Sequence, residues 1–202
     1  MKIGVLGGTF DPVHCGHLAV ASEARRRLNL DEVVFMPAGH PYFKEAAAIS
    51  TAEHRINMLK LAIEETPYFN ISYLEIERPG PSYAVDSMVK MKAQLKSSDE
   101  LFFILGWDSL LTLPRWYEAD RLIQLCRIVA SPRPGFSQPD IHALEKDLPG
   151  VSKRVVILDK PFIDISATSI RDRVRQSLSI EGLVPTQVAK YIQEKALYRA
   201  CP

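Results

Sequence analysis

Two histidines, His14 and His17, lie three residues apart near the start of the chain. A glycine pair, Gly7 and Gly8, precedes them at the end of a short apolar run. Glycine lets backbone N–H groups come close to a ligand, and a helix that starts there favours an anion at its N-terminus. Two imidazoles at such a position can neutralise the charge of a phosphoryl group during its transfer. The pattern therefore predicts phosphate chemistry, with His14 and His17 as catalytic residues.

Other interpretations of the two histidines are a pair of hydrogen-bonded structural residues or half of a metal site. A metal site would need further ligands, and Asp11 and Cys15 are the local candidates in the sequence. The turn is neither a Walker A loop, which ends in Gly-Lys-Ser/Thr, nor the G-x-G-x-x-G turn of dinucleotide-binding proteins. We therefore predict a phosphate site of a different type and no metal ion held by the protein.

A second candidate phosphate site is the segment 165–171, I-S-A-T-S-I-R. Ser166 can cap a helix and leave N–H groups exposed in the first turn, where Thr168 and Ser169 add hydroxyl donors. Arg171 adds a planar cation that can form two hydrogen bonds to one phosphate. An ordinary capped helix with a solvated arginine is the alternative, and these residues alone would favour it.

Two further groups could contact other parts of a nucleotide. Gly106 ends an apolar run, and a carboxylate that follows it, Asp108, could accept hydrogen bonds from two ribose hydroxyl groups. Asp108 could equally cap the following helix. Trp116 and Tyr117 lie on a loop, where aromatic side chains either cover a core or stack on a flat ligand.

Apolar runs alternate with helical patterns along nearly all of the 202 residues. The strands are expected at about 2–6, 32–36, 69–76, 100–105, 128–130 and 155–158. The helices are expected at about 17–28, 51–65, 83–96, 108–113, 119–126, 168–176 and 185–195. This alternation predicts an α/β fold, a Rossmann-like open parallel sheet with helices on both faces. We expect one domain over residues 1–202, in which the helical C-terminal part, 165–202, carries the second phosphate site.

Composition and charge narrow the classes of partner. The formal net charge is +1, so no overall field attracts nucleic acid or a membrane surface, and an anionic ligand needs a local site. The three cysteines, Cys15, Cys126 and Cys201, match neither a disulfide framework nor a zinc site, which favours a cytoplasmic location. The N-terminus has no signal-peptide pattern, and no apolar run is long enough to span a membrane.

The segment 7–17, G-G-T-F-D-P-V-H-C-G-H, resembles the first motif of the nucleotidyltransferase superfamily with the H-x-G-H signature. Within this superfamily the sequence is most similar to bacterial nicotinate-nucleotide adenylyltransferases, and the resemblance extends along nearly the whole chain. The other segments that carry it are 54–55, 58–59, 80–83, 106–108, 114–117, 133–135 and 165–171. The resemblance implies transfer of the adenylyl group of ATP to nicotinate mononucleotide, giving deamido-NAD and pyrophosphate in NAD biosynthesis, with Mg²⁺ accompanying the ATP.

The resemblance also implies a role for each matching residue. The catalytic residues would be His14, His17 and Arg171. The ATP-binding residues would be Gly7, Gly8, Thr9, Phe10, Gly106, Asp108, Ser166, Ala167, Thr168 and Ser169. The mononucleotide-binding residues would be Asp11, Tyr83, Ala84, Val85, Arg133, Tyr117 and Trp116, whose counterpart in the family stacks on the nicotinate ring. Two basic residues of the loop after the second strand, His40 and Lys44, could contact the substrate phosphate or be solvated charges.

Ala84 departs from the family pattern, because similar enzymes have a threonine after the Ser-Tyr pair, where they recognise the nicotinate carboxylate. A hydroxyl contact from this side chain is therefore lost. If Ser82 caps the helix, the N–H groups of Ala84 and Val85 still point outward. Backbone donors at a helix N-terminus favour a carboxylate over a neutral carboxamide. We therefore predict nicotinate mononucleotide as the acceptor.

Three other functions fit part of the sequence. The first is an adenylyltransferase that uses nicotinamide mononucleotide or both mononucleotides. The second is a relative with another phosphorylated acceptor, such as phosphopantetheine, against which Tyr83, Trp116 and Tyr117 argue. The third is a non-catalytic nucleotide-binding module, against which the intact histidine pair and the intact segment 166–171 argue. The oligomeric state is left open, and a homodimer is one option.

Overall fold

The computed structural model describes residues 1–39 and 49–199 of the chain. Within these ranges, six strands form one parallel sheet. They are β1 (Lys2–Gly8), β2 (Glu32–Pro37), β3 (Phe69–Ile71), β4 (Glu100–Gly106), β5 (Arg127–Ser131) and β6 (Val155–Ile157). The strand order is β3-β2-β1-β4-β5-β6, so the progression of the chain across the sheet reverses between β1 and β4. In open parallel sheets, a crevice for ligands forms at the carboxyl ends of the strands at such a reversal.

The described ranges also contain eight α-helices. They are α1 (Cys15–Leu28), α2 (Ala52–Ile63), α3 (Ala84–Ala93), α4 (Trp107–Thr112), α5 (Ala119–Leu125), α6 (Ile141–Asp147), α7 (Ala167–Arg175) and α8 (Thr186–Glu194). Buried side chains form two clusters, one on each face of the sheet, because successive residues of a strand point to opposite faces. Val5 and Phe103 pack with residues of α3 to α6, whereas Leu6 and Ile104 pack with residues of α1, α2, α7 and α8. The predicted parallel sheet with helices on both faces is confirmed.

The strand predicted over 69–76 is wrong in its second half, since β3 ends at Ile71. The residues that follow form turns, and one of them turns its side chain inward. The carboxylate of Glu75 is buried and accepts a hydrogen bond from Ser87 Oγ at 2.6 Å. Sheet pairing stops because this segment leaves β2 to pack against α3.

The C-terminal helices return to the face of the sheet that α1 and α2 cover. On α8, the hydroxyl of Tyr191 accepts a hydrogen bond from Asn57 Nδ2 at 3.1 Å and lies 2.9 Å from His54 Nδ1. Ile170 of α7 and Val188 of α8 are buried in the same cluster. None of the described helices has the length and the apolar character needed to cross a membrane.

Candidate active site

The two histidines stack on each other at the start of α1. His14 takes the N-cap position, so the helix begins at Cys15, earlier than the predicted start at His17. The ring centroids are 3.6 Å apart and the ring planes differ by 25°. The backbone N–H of His14 donates to Nδ1 of His17 at 3.2 Å. Because Nδ1 accepts this bond, the neutral His17 ring carries its proton on Nε2, which is then a donor.

Two glycines and a phenylalanine hold this stack in place. A Cβ atom on Gly16 would lie 3.0 Å from Nδ1 of His14, so the ring can lie against the helix only where position 16 has no side chain. Phe10 packs edge-on against His17 with ring centroids 5.0 Å apart, and its backbone has a positive φ of 51°. A Cβ atom on Gly8 would lie 3.0 Å from the Phe10 ring. Packing therefore sets the geometry of the H-x-G-H turn.

Burial makes His14 a neutral imidazole near pH 7. Only 7% of its surface is exposed, and this burial, with a smaller contribution from the charge of Arg133, lowers the pKa of His14 to about 4. Its Nδ1 atom has no hydrogen-bond partner among the described residues. A neutral ring can position its neighbour, but it adds no full positive charge, so charge neutralisation depends on other groups.

We expect the lowered pKa of His14 to make folding sensitive to acid. The unfolded chain takes up this proton near pH 6.5 and the folded chain only near pH 4. As pH falls from 6.5 to 4, the free energy of unfolding therefore decreases by about 3 kcal/mol because of His14. Denaturant titrations of the wild type and His14→Asn at pH 7 and pH 4 measure this loss. An equal difference between the two proteins at both pH values would contradict it.

Arg171 joins the second predicted phosphate segment to the first. Its Nη1 donates to the backbone carbonyl of Asp11 at 2.8 Å, and its Nη2 donates to Thr168 Oγ1 at 3.3 Å. Ser166 is the N-cap of α7, as predicted, because its Oγ accepts the N–H of Ser169 at 3.1 Å. The N-terminal part of α7 therefore lies beside the H-x-G-H turn, although the two bonded residues are 160 positions apart.

Asp11 is held by the protein itself, whereas the sequence predicted a mononucleotide contact. Its residue surface is almost fully buried. One carboxylate oxygen accepts the hydroxyl of Tyr198 at 2.6 Å, and the other accepts the N–H of Ser50 at 3.2 Å. With both oxygens engaged by protein groups, Asp11 has a structural part in this turn, and its predicted mononucleotide contact stays a prediction.

Arg55 is a buried cation whose part the sequence motif alone did not reveal. Its Nη1 donates to the carbonyls of Thr9 at 3.0 Å and Ala38 at 2.8 Å, and its Nε donates to the carbonyl of Ser50 at 3.2 Å. Burial lowers the pKa of its guanidinium, with the charge of Asp11 acting in the opposite direction. Arg55 thus fixes the loops that follow β1 and β2, and the carbonyl of Thr9 faces inward for this reason.

At the end of β4, Asp108 pairs with Arg133. Arg133 Nε lies 3.3 Å from Asp108 Oδ2. The other oxygen, Oδ1, has no hydrogen-bond partner in the described part of the chain, and a Cβ atom on Gly106 would lie 2.4 Å from it. Gly106 therefore leaves the space that the carboxylate uses. Asp108, the predicted ribose contact, is thus adjacent to Arg133, a predicted mononucleotide contact. The charge of Arg133 also lowers the pKa of His14.

Four aromatic rings form two contacting pairs on the face of the sheet that α3 to α6 cover. Trp116 is half-buried, meets Phe103 edge-on with centroids 6.2 Å apart, and donates from Nε1 to Thr112 Oγ1 at 3.3 Å. The rings of Tyr83 and Tyr117 lie 4.6 Å apart at 32°. A Cβ atom on Gly7 would lie 3.2 Å from the Phe103 ring, so Phe103 connects the glycine turn to Trp116. The structure thus brings together residues that the sequence predicted for the two substrates.

The start of α3 differs from the prediction in its capping residue. The N-cap is Tyr83, and its side chain forms no capping hydrogen bond to the described first turn. Ser82 was the wrong choice because its Oγ accepts the N–H of Gly39 at 3.1 Å instead. The side chain of Val85 is fully buried, so Val85 can meet a ligand only through its backbone. Ala84 is the first residue of the helix, and its backbone N–H can meet a ligand there.

Comparison with known proteins identifies the family. A cytidylyltransferase-like family model matches residues 5–173. A protein of Dehalococcoides mccartyi strain CBDB1, named probable nicotinate-nucleotide adenylyltransferase, is 50% identical over 198 residues, which cover 98% of this chain and 97% of that protein. A protein of Roseiflexus sp. strain RS-1 with the same name is 43% identical over 197 residues, covering 98% of each. The chain belongs to the nicotinate-nucleotide adenylyltransferases, within the cytidylyltransferase-like family.

Solved structures agree with this family at the level of the fold. The nicotinic acid mononucleotide adenylyltransferase of Plasmodium falciparum complexed with NaAD superposes with a TM-score of 0.78 at 19% identity, covering 98% of this chain and 97% of that chain. The same protein complexed with APC has a TM-score of 0.77 at 20% identity, with 98% and 96% coverage. The Rossmann-like fold and the family predicted from the sequence are confirmed.

Close contacts join several of the predicted residues: Arg171 bonds to the H-x-G-H turn, and Phe103 lies between Gly7 and Trp116. His40 and Lys44 fall outside the described residues. Ala167 is the first residue of α7, beside the N-cap that the structure confirms. The substrate contacts of these side chains stay predictions, and Asp11 is the member of the set whose burial argues against one.

Proposed function

We propose that this chain transfers the adenylyl group of ATP to nicotinate mononucleotide, producing deamido-NAD and pyrophosphate. The observation that carries the proposal is the hydrogen bond of 2.8 Å from Arg171 to the carbonyl of Asp11, which joins the two phosphate-binding segments. The helix N-termini of α1 and α7 thereby serve one crevice, and helix N-termini favour anions. The names of the relatives with 50% and 43% identity support the same reaction.

The reaction needs alignment and charge neutralisation more than covalent chemistry. An oxygen of the mononucleotide phosphate attacks the α-phosphorus of ATP in line, and a new P–O bond forms. The bond from the α-phosphorus to the oxygen that bridges to the β-phosphate breaks, and pyrophosphate leaves with that electron pair. Two anions must be held close together, so groups that neutralise them and fix their orientation supply the catalysis.

In this proposal, each part of the H-x-G-H turn has a separate task. His17 donates from Nε2 to the phosphoryl oxygens, and Arg171 supplies the full positive charge. His14, which is neutral because its pKa is lowered to about 4, positions His17 by stacking and through its backbone N–H. The N–H groups of Gly7 and Gly8 approach the phosphates where no side chain intervenes.

We also propose that Mg²⁺ enters with ATP. No group of three or more His, Cys, Asp or Glu side chains in residues 1–39 and 49–199 is arranged to hold a metal ion. Magnesium commonly keeps several waters and binds through substrate phosphates. Bound in that way, it would neutralise part of the charge on the leaving pyrophosphate, while Arg171 and His17 act on the protein side.

The acceptor end is assigned to the aromatic rings and the start of α3. Tyr83 and Tyr117 offer a pair of rings that pack against each other at a tilt, and Trp116 offers a further ring for the pyridine. The first N–H groups of α3 can bind a carboxylate, which favours nicotinate over nicotinamide although Ala84 has no hydroxyl group. A cytoplasmic location accords with these substrates and with the unpaired state of Cys15 and Cys126.

An assay of pyrophosphate release tests the function. Purified protein is supplied with ATP and Mg²⁺, and with nicotinate mononucleotide, nicotinamide mononucleotide or phosphopantetheine in parallel. We expect release with nicotinate mononucleotide and a lower kcat/KM with the nicotinamide compound. Higher kcat/KM with nicotinamide mononucleotide would overturn the choice of acceptor. No release with any acceptor would favour a nucleotide-binding module.

Replacing Trp116 with alanine should raise the KM for nicotinate mononucleotide by about tenfold, while the KM for ATP changes little, because a stacked ring contributes about 1–3 kcal/mol. Trp116→Phe keeps a ring against Phe103 and should recover most of the affinity. Steady-state kinetics with each substrate varied in turn gives both constants. Equal increases in the two KM values would argue against stacking on the pyridine ring.

A further inference from the structure

The segment 158–166 crosses the carboxyl edge of the sheet on its way from β6 to α7. It begins beside β5, where the N–H of Leu158 bonds to the carbonyl of Ala130 at 2.9 Å. It then passes the end of β4, and Ile163 comes within 3.7 Å of the Cβ position of Gly16 in the H-x-G-H turn. The segment therefore contacts β5 on one side and the H-x-G-H turn on the other.

Phe162 is the exposed aromatic residue of this crossing. Its ring meets the buried ring of Trp107 edge-on, with centroids 6.4 Å apart and planes at 74°, yet 63% of its surface is open to solvent. Trp107 therefore contacts one part of the Phe162 ring, and most of the side chain stays open to solvent. Large apolar side chains that are anchored on one side and open on the other are typical of positions that meet a flat ligand.

The sites proposed for the ribose and the phosphates of ATP place its base near the Phe162 ring. This step rests on the proposed function, in which Asp108 binds the ribose and the start of α7 binds the phosphates. Asp108 directly follows Trp107, which Phe162 contacts, and Phe162 is four residues before the N-cap Ser166. In ATP the base and the phosphates are attached to opposite sides of the ribose, so a base that follows a ribose at Asp108 can reach Phe162, which contacts the neighbouring Trp107.

We propose that Phe162 binds the adenine ring of ATP by stacking, with Trp107 as the buried support that orients it. The contact is made by π-faces and is indifferent to the hydrogen-bonding edge of the base. Phe162 therefore contributes affinity for the nucleoside part of ATP, and it contributes nothing to the acceptor or to the phosphates.

The test separates the base from the phosphates. We expect Phe162→Ala to weaken ATP binding by about 5- to 100-fold, the range for losing one base–aromatic stack. Isothermal titration calorimetry with ATP and with inorganic tripolyphosphate measures both affinities directly. The affinity for tripolyphosphate should not change, because it carries no base. The KM for nicotinate mononucleotide should also stay at the wild-type value.

Two control variants make the result specific. Phe162→Tyr keeps the ring and should bind ATP as the wild type does. Tyr73→Ala removes another exposed aromatic side chain, on the chain after β3, and should leave ATP binding unchanged. Unchanged ATP affinity in Phe162→Ala, or equal loss for ATP and tripolyphosphate, would overturn the proposal. Failure of the proposed reaction would show instead as ATP binding without turnover in the wild type.

Discussion

The His17→Ala variant is expected to turn over about 10²–10³ times more slowly than the wild type at saturating substrate concentrations, while its fold stays intact. The ring of His17 carries the proposed donor, Nε2, and its loss leaves the developing charge on the phosphoryl group without that partner. Substrate binding should change less than kcat, because the donor is most effective in the transition state. Measurement of kcat and both KM values from pyrophosphate release tests this expectation.

A second variant separates chemistry from helix capping at the same position. The Nδ1 atom of His17 accepts the backbone N–H of His14 at 3.2 Å, so alanine also removes this contact at the start of α1. His17→Asn can accept that N–H but cannot reproduce the position of Nε2, and it should be as slow as the alanine variant. His142→Ala, on α6, is the control for loss of an imidazole. Wild-type kcat in either His17 variant with normal thermal unfolding would exclude the assigned role.

Removal of the Arg171 guanidinium should lower kcat/KM by about 10²–10³, because Arg171→Ala takes away the full charge assigned to the phosphates. It also breaks the 2.8 Å bond to the carbonyl of Asp11 that holds α7 beside the H-x-G-H turn. Arg171→Lys keeps the charge but has no planar fork, so it should recover only part of the activity.

Arg175 is the matched control for Arg171, since it lies one turn further along the same helix. It is exposed and pairs with Asp172 of α7, away from the H-x-G-H turn. Arg175→Ala should keep wild-type kcat/KM, whereas Arg171→Ala should not. Thermal unfolding of both variants shows whether lost activity reflects a damaged fold. Equal kinetics in the two variants would contradict the place given to Arg171.

The parts of the site that the sequence predicted well depend on neighbours along the chain. Ser166 was predictable as an N-cap because a serine oxygen accepts an N–H three residues later, and the structure has this bond to Ser169 at 3.1 Å. Most of the strands and helices were predictable in the same way, from apolar periods that repeat within a few residues, although α6 (Ile141–Asp147) was not among them. The parallel sheet with helices on both faces followed from alternation and the handedness of crossovers.

The parts that the sequence did not predict depend on contacts between distant residues. Burial raises the pKa of the Glu75 carboxyl group. Nothing near Glu75 in the chain indicates that its carboxylate is buried against Ser87. The same holds for Asp11, which has the spacing of a ligand contact but is engaged by Tyr198 and Ser50. Local patterns cannot distinguish a buried carboxylate from an exposed one when the covering residue comes from elsewhere.

The charge state of His14 could not be predicted for a related reason. Two neighbouring imidazoles in a sequence suggest two titratable cations, but burial decides whether either is charged at pH 7. The stacking of His14 on His17 and the closeness of Arg133 depend on packing around Gly16 and Phe10. Sequence spacing therefore identifies the pair, while the three-dimensional environment assigns their different tasks.

The bond from the Tyr198 hydroxyl to Asp11 also orders events during protein synthesis. The two residues are 187 positions apart, so the turn after the first strand lacks this partner until nearly all of the described chain has left the ribosome. At about 5–20 residues per second, that interval is about 10–40 s. The H-x-G-H turn is therefore among the first segments to be made and among the last to be completed, and a nascent chain cannot form this bond early.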